Sequence, residues 1–251
     1  KGGAIVVMQP STCDVLAMAS YPDFNLNDPY AAPPGEDEST WIGNTEENVK
    51  KLYETVWRNK ALTDTYEPGS TFKSITAAMG IEEGRINKNS IVSDAPLDLS
   101  GWQIRCWRKY QDHGSETFAD AVKNSCNPVF SKLALDIGID KFYEYIEAFG
   151  FKSKTGIVLS GEANSIFHTN PTEIDMAVTS FGQRVQITPI QLATAYCSIA
   201  NGGKLMKPRI VKEITDSNGI VVKSYESQVV RQVISESTSK EIMNMLEQVV
   251  A

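Results

Sequence analysis

Short apolar runs lie near both ends of the chain, and helical periodicity dominates the stretch between them. Near the start, Ala4–Met8 and Val15–Ala19 flank a turn at Pro10–Asp14 and predict a β-hairpin. Near the end, Ile210–Ile214 and Ile220–Ser224 flank an Asp-Ser-Asn-Gly turn and predict a second hairpin. Strands are therefore expected at both ends of the fold.

The middle of the chain is predicted to be mostly helical. Tyr21–Asn59 is rich in Pro, Asn, Asp and Glu, which is typical of a long loop, and a short helix is expected at its end. Apolar residues at helical spacing predict five further helices, at Ser70–Glu83, Ala119–Ile137, Lys141–Phe149, Pro189–Ala200 and about Thr238–Val250. We expect one α+β domain, an antiparallel sheet made from the chain ends and packed with a large helical lobe.

Composition excludes several classes of protein. The 251 residues carry 24 basic and 31 acidic side chains, a net charge of −7, and 41% of them are hydrophobic, as in ordinary globular proteins. The acidic balance argues against a nucleic-acid binder, which neutralises phosphates with Lys and Arg. No apolar run approaches the ~18 residues of a membrane span. Because Lys1-Gly2-Gly3 leads directly into an apolar strand, the chain is interpreted as part of a longer protein.

The pattern Ser-x-x-Lys occurs twice, at Ser70–Lys73 and at Ser237–Lys240. In the second copy, Thr238 and Glu241 have the spacing of a capping box ahead of an apolar helix. We interpret that copy as the structural start of a helix.

The first copy has the arrangement of an activated nucleophile. Lys73 follows Ser70 by three positions, so on a helix its amine can reach the hydroxyl. Pro68-Gly69 places Ser70 in the first turn, where free N–H groups and the helix dipole favour negative charge. Lys73 could remove the proton of Ser70 if burial lowered its pKa. An ordinary helix start with an exposed lysine is the alternative interpretation.

Ser125-Cys126-Asn127 is the one Ser-x-Asn in the sequence, and it follows the first Ser-x-x-Lys. Acyl transfer requires a second hydroxyl that passes a proton to the leaving group, and an amide that holds the lysine and the substrate. Ser125 and Asn127 supply both groups. The candidate catalytic residues are therefore Ser70, Lys73, Ser125 and Asn127.

With these motifs in order, the sequence resembles the penicillin-binding proteins, in particular the transpeptidase domain of the class B, monofunctional enzymes. Cys106-Trp107 with His113-Gly114 is most similar to the stage V sporulation protein D branch of Gram-positive bacteria. The resemblance covers nearly the whole chain. It is carried by the Gly3–Ser20 hairpin with Tyr21–Phe24, and by Glu67–Lys73, Asn124–Phe130, Gly182-Gln183, Thr188–Ala193 and Asn201–Gly203.

The resemblance implies the penicillin-binding/β-lactamase-like transpeptidase fold and D,D-transpeptidation, with no cofactor required for catalysis. Ser70 would attack the D-Ala-D-Ala bond of a peptidoglycan stem peptide, and β-lactams would mimic that dipeptide and stay on the serine. It also implies a glycosyltransferase partner, a pedestal domain and a single membrane helix outside this chain. The expected location is the extracytoplasmic face of the cell membrane.

The family's third motif, Lys-Thr/Ser-Gly on a sheet strand, supplies a cation for the substrate carboxylate. Lys154-Thr155-Gly156 matches this motif in sequence, but the residues around it resemble a different segment of the family, within the helical lobe. We reject it and expect the true motif after the last helix, so residues 1–251 would be one transpeptidase domain that is truncated before that strand. The sheet would then be incomplete, and an isolated 1–251 fragment is expected to acylate poorly.

Cys106, His113 and Cys126 have the residue types of zinc ligands, with Asp112 as a candidate fourth. A structural zinc ion here would hold the Ser-x-Asn motif in place. A Cys106–Cys126 disulfide and two unpaired thiols are the alternatives.

Two other functions stay open. A serine β-lactamase or β-lactam sensor uses the same acylation, but Glu162-Ala163-Asn164 does not match the Glu-x-x-x-Asn spacing of a deacylating enzyme. An inert scaffold that binds division or sporulation partners is the second alternative, and the intact candidate residues argue against it.

Overall fold

In the computed structural model, which describes residues 2–108 and 113–250, antiparallel two-stranded ribbons surround a core of helices. The longest ribbon pairs β1 (Gly3–Gln9) with β2 (Asp14–Tyr21) and places Gly3 opposite Tyr21. It confirms the predicted N-terminal hairpin. The α+β class is also confirmed, but in the described ranges the strands form separate ribbons instead of one continuous sheet.

The remaining strands are three or four residues long. Their bounds are β3 Ile91–Ser93, β4 Leu97–Leu99, β5 Trp102–Ile104, β6 Ser115–Thr117, β7 Lys204–Met206, β8 Glu213–Thr215, β9 Val221–Ser224 and β10 Val229–Gln232. They pair as β3–β6, β4–β5, β7–β10 and β8–β9. The predicted second hairpin is confirmed as β8–β9, and Asp216 closes its turn by accepting the N–H of Ile220 at 2.9 Å. The other three pairs were missed, because so short a run shows no clear alternation.

Most of the helices occupy the middle of the chain and one lies near its end, both as predicted. Their bounds are α1 Glu46–Glu54, α2 Lys60–Thr63, α3 Lys73–Glu82, α4 Phe118–Lys123, α5 Asn127–Ile137, α6 Ile139–Ala148, α7 Glu173–Thr179, α8 Pro189–Ala200 and α9 Glu236–Val250. Among the described residues, no helix has both the length and the apolar character that crossing a bilayer requires.

Two helix predictions were wrong in detail. The predicted Ser70–Glu83 helix begins with a 3₁₀ turn, Gly69–Phe72, that leads into α3. The predicted Ala119–Ile137 helix is broken into α4 and α5, because Ser125 has a φ of +54°, outside the right-handed helical region. This second break is what shapes the candidate site.

The start of α9 also differs from its prediction. Thr238 does not cap this helix, because the hydroxyl of Ser235 accepts the backbone N–H of Thr238 at 3.2 Å. The carboxylate of Glu241 accepts the backbone N–H of Lys88 at 2.8 Å instead of completing a capping box. The serines at this end of the chain nevertheless serve the start of a helix, as expected.

The core is built around α3. Every residue from Lys73 to Gly80 is buried, and the apolar side chains contact α5, α9 and the loop that follows α6. The Phe72 ring, for example, lies 5.2 Å from the Phe151 ring, centroid to centroid. Because burying a large apolar side chain contributes about 1.5–3 kcal/mol, these contacts hold α3 firmly in position.

Two glycines after α8 have similar φ angles but differ in how closely another part of the backbone approaches them. Gly203 and Gly219 both have positive φ, at +88° and +80°. A Cβ on Gly203 would lie 1.9 Å from the carbonyl oxygen of Ile234, whereas a Cβ on Gly219 would meet nothing within 4 Å.

We expect Gly219→Ala to lower the free energy of unfolding by ~1–2 kcal/mol, the cost of an L residue at positive φ. Gly203→Ala should cost about 3 kcal/mol or more, because the methyl group also clashes with backbone. Urea unfolding of both variants measures the difference. Equal losses would show that the crossing is not as tight as described.

Candidate active site

The site is organised around the amine of Lys73, a residue that is only 3% exposed. The Nζ atom lies 3.1 Å from the hydroxyl oxygen of Ser70 and 2.8 Å from that of Ser125. It also donates to the backbone carbonyl of Ser125 at 2.7 Å and to Oδ1 of Asn127 at 2.6 Å. The other three predicted catalytic side chains are therefore within hydrogen-bond distance of this one nitrogen.

Two separate breaks in helical geometry bring these groups together. The 3₁₀ turn places the exposed Ser70 hydroxyl one turn ahead of the buried Lys73, as the three-residue spacing predicts. The break between α4 and α5 turns the carbonyl and hydroxyl of Ser125 toward Lys73, and Asn127 begins α5. A non-glycine residue at positive φ is unfavourable and is often found at functional sites.

Burial lowers the pKa of Lys73 to about 8, from an ordinary lysine value of 10.5. The Phe130 ring lies beneath the amine, with its centroid 5.5 Å from Nζ. With a pKa of about 8, a substantial fraction of the Lys73 side chains carries a neutral amine near physiological pH. The lysine therefore has the protonation behaviour that a general base requires.

The oxygen atoms around Lys73 also determine where its lone pair points. The two carbonyl oxygens, of Ser125 and Asn127, can only accept, so each takes one N–H of the amine. A neutral amine has two N–H groups, and both are then in use. Its lone pair is left for a hydroxyl, either Ser70 or Ser125. The geometry thus defines a proton path between the two serines through Lys73.

The contacts that hold the Ser70 turn were missed in the sequence. The Tyr196 hydroxyl donates to the carbonyl of Thr71 at 2.7 Å and lies 3.0 Å from the hydroxyl of Ser74. The backbone N–H of Gly69 donates to the carbonyl of Gly182 at 2.9 Å. The Gly182-Gln183 motif was the only signal for these contacts, because the partners lie more than a hundred residues apart.

Two other segments match the family's motifs in sequence but lie outside the site. In the second Ser-x-x-Lys, the Ser237 hydroxyl bonds Ser235 at 2.9 Å and Lys240 is exposed. Lys154-Thr155-Gly156 forms part of a loop, not a strand, and the Thr155 N–H donates to the buried carboxylate of Glu162 at 2.7 Å. The interpretation of both segments as non-catalytic agrees with these contacts.

The proposed zinc ligands are not assembled in the described part of the chain. Within residues 2–108 and 113–250, no three His, Cys, Asp or Glu side chains converge where a metal ion could bind. The thiols of Cys106 and Cys126 lie side by side, as free thiols, and burial raises the pKa of Cys126 to about 12. His113 has a buried Nε2 without a hydrogen-bond partner among the described residues, and Asp112 lies outside them. Cys106, His113 and Cys126 are therefore not grouped as metal ligands among the described residues.

Comparison with known proteins identifies the family. The family model described as the penicillin binding protein transpeptidase domain matches residues 3–251. The chain belongs to this family. The predicted fold is confirmed with it, and so is the similarity to class B enzymes.

Individual relatives agree with this membership. The chain is 38% identical to stage V sporulation protein D of Bacillus subtilis, over 100% of its own length and 36% of the relative. It is 27% identical to the peptidoglycan D,D-transpeptidase FtsI of Escherichia coli, over 81% of its own length and 31% of that protein. The chain thus spans about a third of these curated transpeptidase relatives.

A solved structure has the same fold over almost the whole chain. Penicillin-binding protein A of Mycobacterium tuberculosis, in a ceftriaxone acyl-enzyme complex, superposes with a TM-score of 0.80 at 25% sequence identity. The match covers 99% of this chain and 56% of that structure.

The lowered pKa of Lys73 can be measured directly. In protein labelled with ¹³C at the lysine ε-carbons, we expect one resonance to titrate with a midpoint near pH 8, because burial disfavours the ammonium. Lys73→Arg should remove that resonance and so assign it. A Lys73 midpoint above pH 10 would contradict the description of a desolvated amine.

Zinc binding stays a prediction, and metal analysis with thiol titration tests it. One zinc ion per chain that disappears in Cys106→Ser would establish the site, with a ligand from outside the described residues. A zinc content near zero per chain would remove it. The thiol count would then separate a Cys106–Cys126 disulfide from two unpaired thiols.

Proposed function

We propose that this protein is a serine-type peptidoglycan D,D-transpeptidase that cross-links stem peptides through an acyl-enzyme on Ser70. The observation that carries the proposal is the hydrogen bonding of one buried, low-pKa amine to both serine hydroxyls. Membership in the transpeptidase family supplies the reaction class. The substrate would be a stem peptide that ends in D-Ala-D-Ala.

In the first half of the reaction, the neutral Lys73 amine takes the proton of the Ser70 hydroxyl across their 3.1 Å contact. The Ser70 oxygen bonds to the carbonyl carbon of the penultimate D-Ala, and the carbonyl electron pair moves onto oxygen. Ser70 lies in the first turn of its helix, where N–H groups without intrahelical partners favour that negative charge.

The leaving group departs when the tetrahedral intermediate collapses. The carbon–nitrogen bond breaks, and the nitrogen takes a proton from the Ser125 hydroxyl, which regains one from Lys73 across 2.8 Å. Terminal D-Ala leaves with that proton, and Lys73 is neutral again. The amine of a neighbouring stem then bonds to the ester carbon, and the bond from that carbon to the Ser70 oxygen breaks. The proton that the amine loses returns to the Ser70 oxygen by the same path.

The alternative functions differ from transpeptidation in the fate of the acyl-enzyme. A β-lactamase must also position a water that hydrolyses the ester, and the carboxylate of Glu162 is buried and accepts the Thr155 N–H away from Lys73. A β-lactam adduct on Ser70 is therefore expected to be long-lived. An inert scaffold would not need the buried amine of Lys73, because burying a cationic group costs free energy.

The wider setting of the reaction is part of the proposal. Stem peptides lie outside the cytoplasm, so the protein would act at the extracytoplasmic face of the membrane, with β-lactams as inhibitors and a glycosyltransferase as partner. Isolated 1–251 would acylate slowly, because Lys154-Thr155-Gly156 lies in a loop bonded to Glu162 and does not serve as the family's third motif. A second cation would be needed to hold the substrate carboxylate.

Labelling with a fluorescent penicillin tests the nucleophile and its base. In the full-length protein, Ser70→Ala should abolish labelling, because the proposed ester forms on the Ser70 oxygen. Lys73→Arg should slow labelling by about 10²- to 10⁴-fold, the usual contribution of a positioned base, since arginine does not deprotonate near neutral pH.

The second Ser-x-x-Lys provides matched controls. Ser237→Ala and Lys240→Ala change the same residue types at the same spacing and should be labelled at the wild-type rate. Labelling that survives in Ser70→Ala, or that is lost in Ser237→Ala, would refute the assignment. An adduct that turns over within seconds would favour the β-lactamase instead.

A further inference from the structure

Glu67 and Arg184 make a contact that the catalytic mechanism does not use. The backbone N–H of Arg184 donates to Oε1 of Glu67 at 2.8 Å. Glu67 lies three residues before Ser70, and only Pro68 and Gly69 separate them. The position of Glu67 therefore bears directly on the position of the nucleophile.

Arg184 makes this contact from an unusual backbone conformation. Its φ is +58°, in the left-handed region that glycine favours and most other residues avoid. In this conformation its N–H faces Glu67. The side chain of Arg184 makes a contact that offsets part of this backbone cost.

The guanidinium of Arg184 donates from Nη1 to Oδ1 of Asp175 at 2.8 Å. Asp175 is itself fixed, because its side chain accepts the N–H and the hydroxyl of Thr172 in the capping box of α7. Its side chain is 11% exposed, so the ion pair is partly protected from solvent. Arg184 thus contacts α7 through its guanidinium and Glu67 through its backbone N–H.

A second contact lies parallel to this one. The Gly69 N–H donates to the carbonyl of Gly182 at 2.9 Å, and a Cβ on Gly182 would lie only 2.0 Å from the Gly69 carbonyl oxygen. The segment Gly182–Arg184 therefore packs directly against the chain that leads into Ser70. A shift of Arg184 would move both contacts together.

We propose that Arg184 is a positioning residue for the Ser70 nucleophile: its ion pair with Asp175 holds the backbone that fixes Glu67 and Gly69. Arg184 touches neither Ser70 nor Lys73 in the described contacts and acts through the turn between Glu67 and Ser70. The inference rests on the proposed acylation of Ser70. A misplacement of about 1 Å at the reacting atoms can cost a large factor in rate, so the effect should be visible in catalysis.

The test compares Arg184→Ala with Arg209→Ala in the full-length protein. Arg209 makes a similar ion pair, from Nε to Oδ1 of Asp14 at 2.6 Å, at the β1–β2 hairpin, and it serves as the control for a general loss of stability. Acylation by a penicillin over a range of concentrations separates the maximal acylation rate constant from the non-covalent dissociation constant.

For Arg184→Ala we expect the maximal rate constant to fall about tenfold with less than a twofold change in the dissociation constant. Hydrogen exchange at the Gly69 amide should become faster. Arg209→Ala should keep both values near wild type even if its Tm falls. Arg184→Lys, which keeps the charge, should recover part of the rate, and it also serves if Arg184→Ala does not fold.

An unchanged rate constant in Arg184→Ala would overturn the inference, and so would an equal fall in Arg209→Ala. If the wild-type protein is not acylated on Ser70, the proposed function fails instead. The hydrogen-exchange rate of the Gly69 amide would then still decide whether Arg184 holds the turn between Glu67 and Ser70, because that measurement does not depend on acylation.

Discussion

The structure of the site depends on the burial of one cationic side chain among oxygen atoms. An amine taken out of water loses hydration, and four oxygen ligands from Ser70, Ser125 and Asn127 compensate for part of that loss. The compensation is incomplete, which is why the pKa of Lys73 lies at about 8 and not at 10.5. Full compensation would keep the amine protonated, and a wholly apolar pocket would leave nothing to orient it. Lys73 lies between these limits, as the proposed role of a base requires.

Two residues with a strained backbone conformation lie on segments that pack against the site. Ser125 and Arg184 are two of the non-glycine residues with positive φ, and they lie on segments that contact Lys73 and the turn before Ser70. Each such residue costs about 1–3 kcal/mol, which the surrounding packing must offset. Helix α3 supplies that packing, because all of its residues from Lys73 to Gly80 are buried. A rigid helix thus permits two strained loops to approach it.

The sequence was sufficient to predict which candidate catalytic side chains lie close together, and insufficient to predict the contacts that support them. Lys73 and Ser70 could be paired because helical spacing fixes their separation, and Pro189–Ala200 could be placed because its apolar residues recur at helical spacing. The break at Ser125 was missed because apolar residues continue at helical spacing on both sides of it. The contact between Glu67 and Arg184 has no local signal at all, since its partners lie 117 residues apart.

The two copies of Ser-x-x-Lys show why the tetrapeptide alone does not make a nucleophile. Both begin near the start of a helix, and both place the lysine three residues after the serine. Lys240 is exposed, and Ser237 bonds to another serine. Lys73 lies beneath its serine, 3% exposed, with the Ser-x-Asn segment above it. Tertiary packing thus distinguishes the two copies, since burial is what lowers the pKa of Lys73.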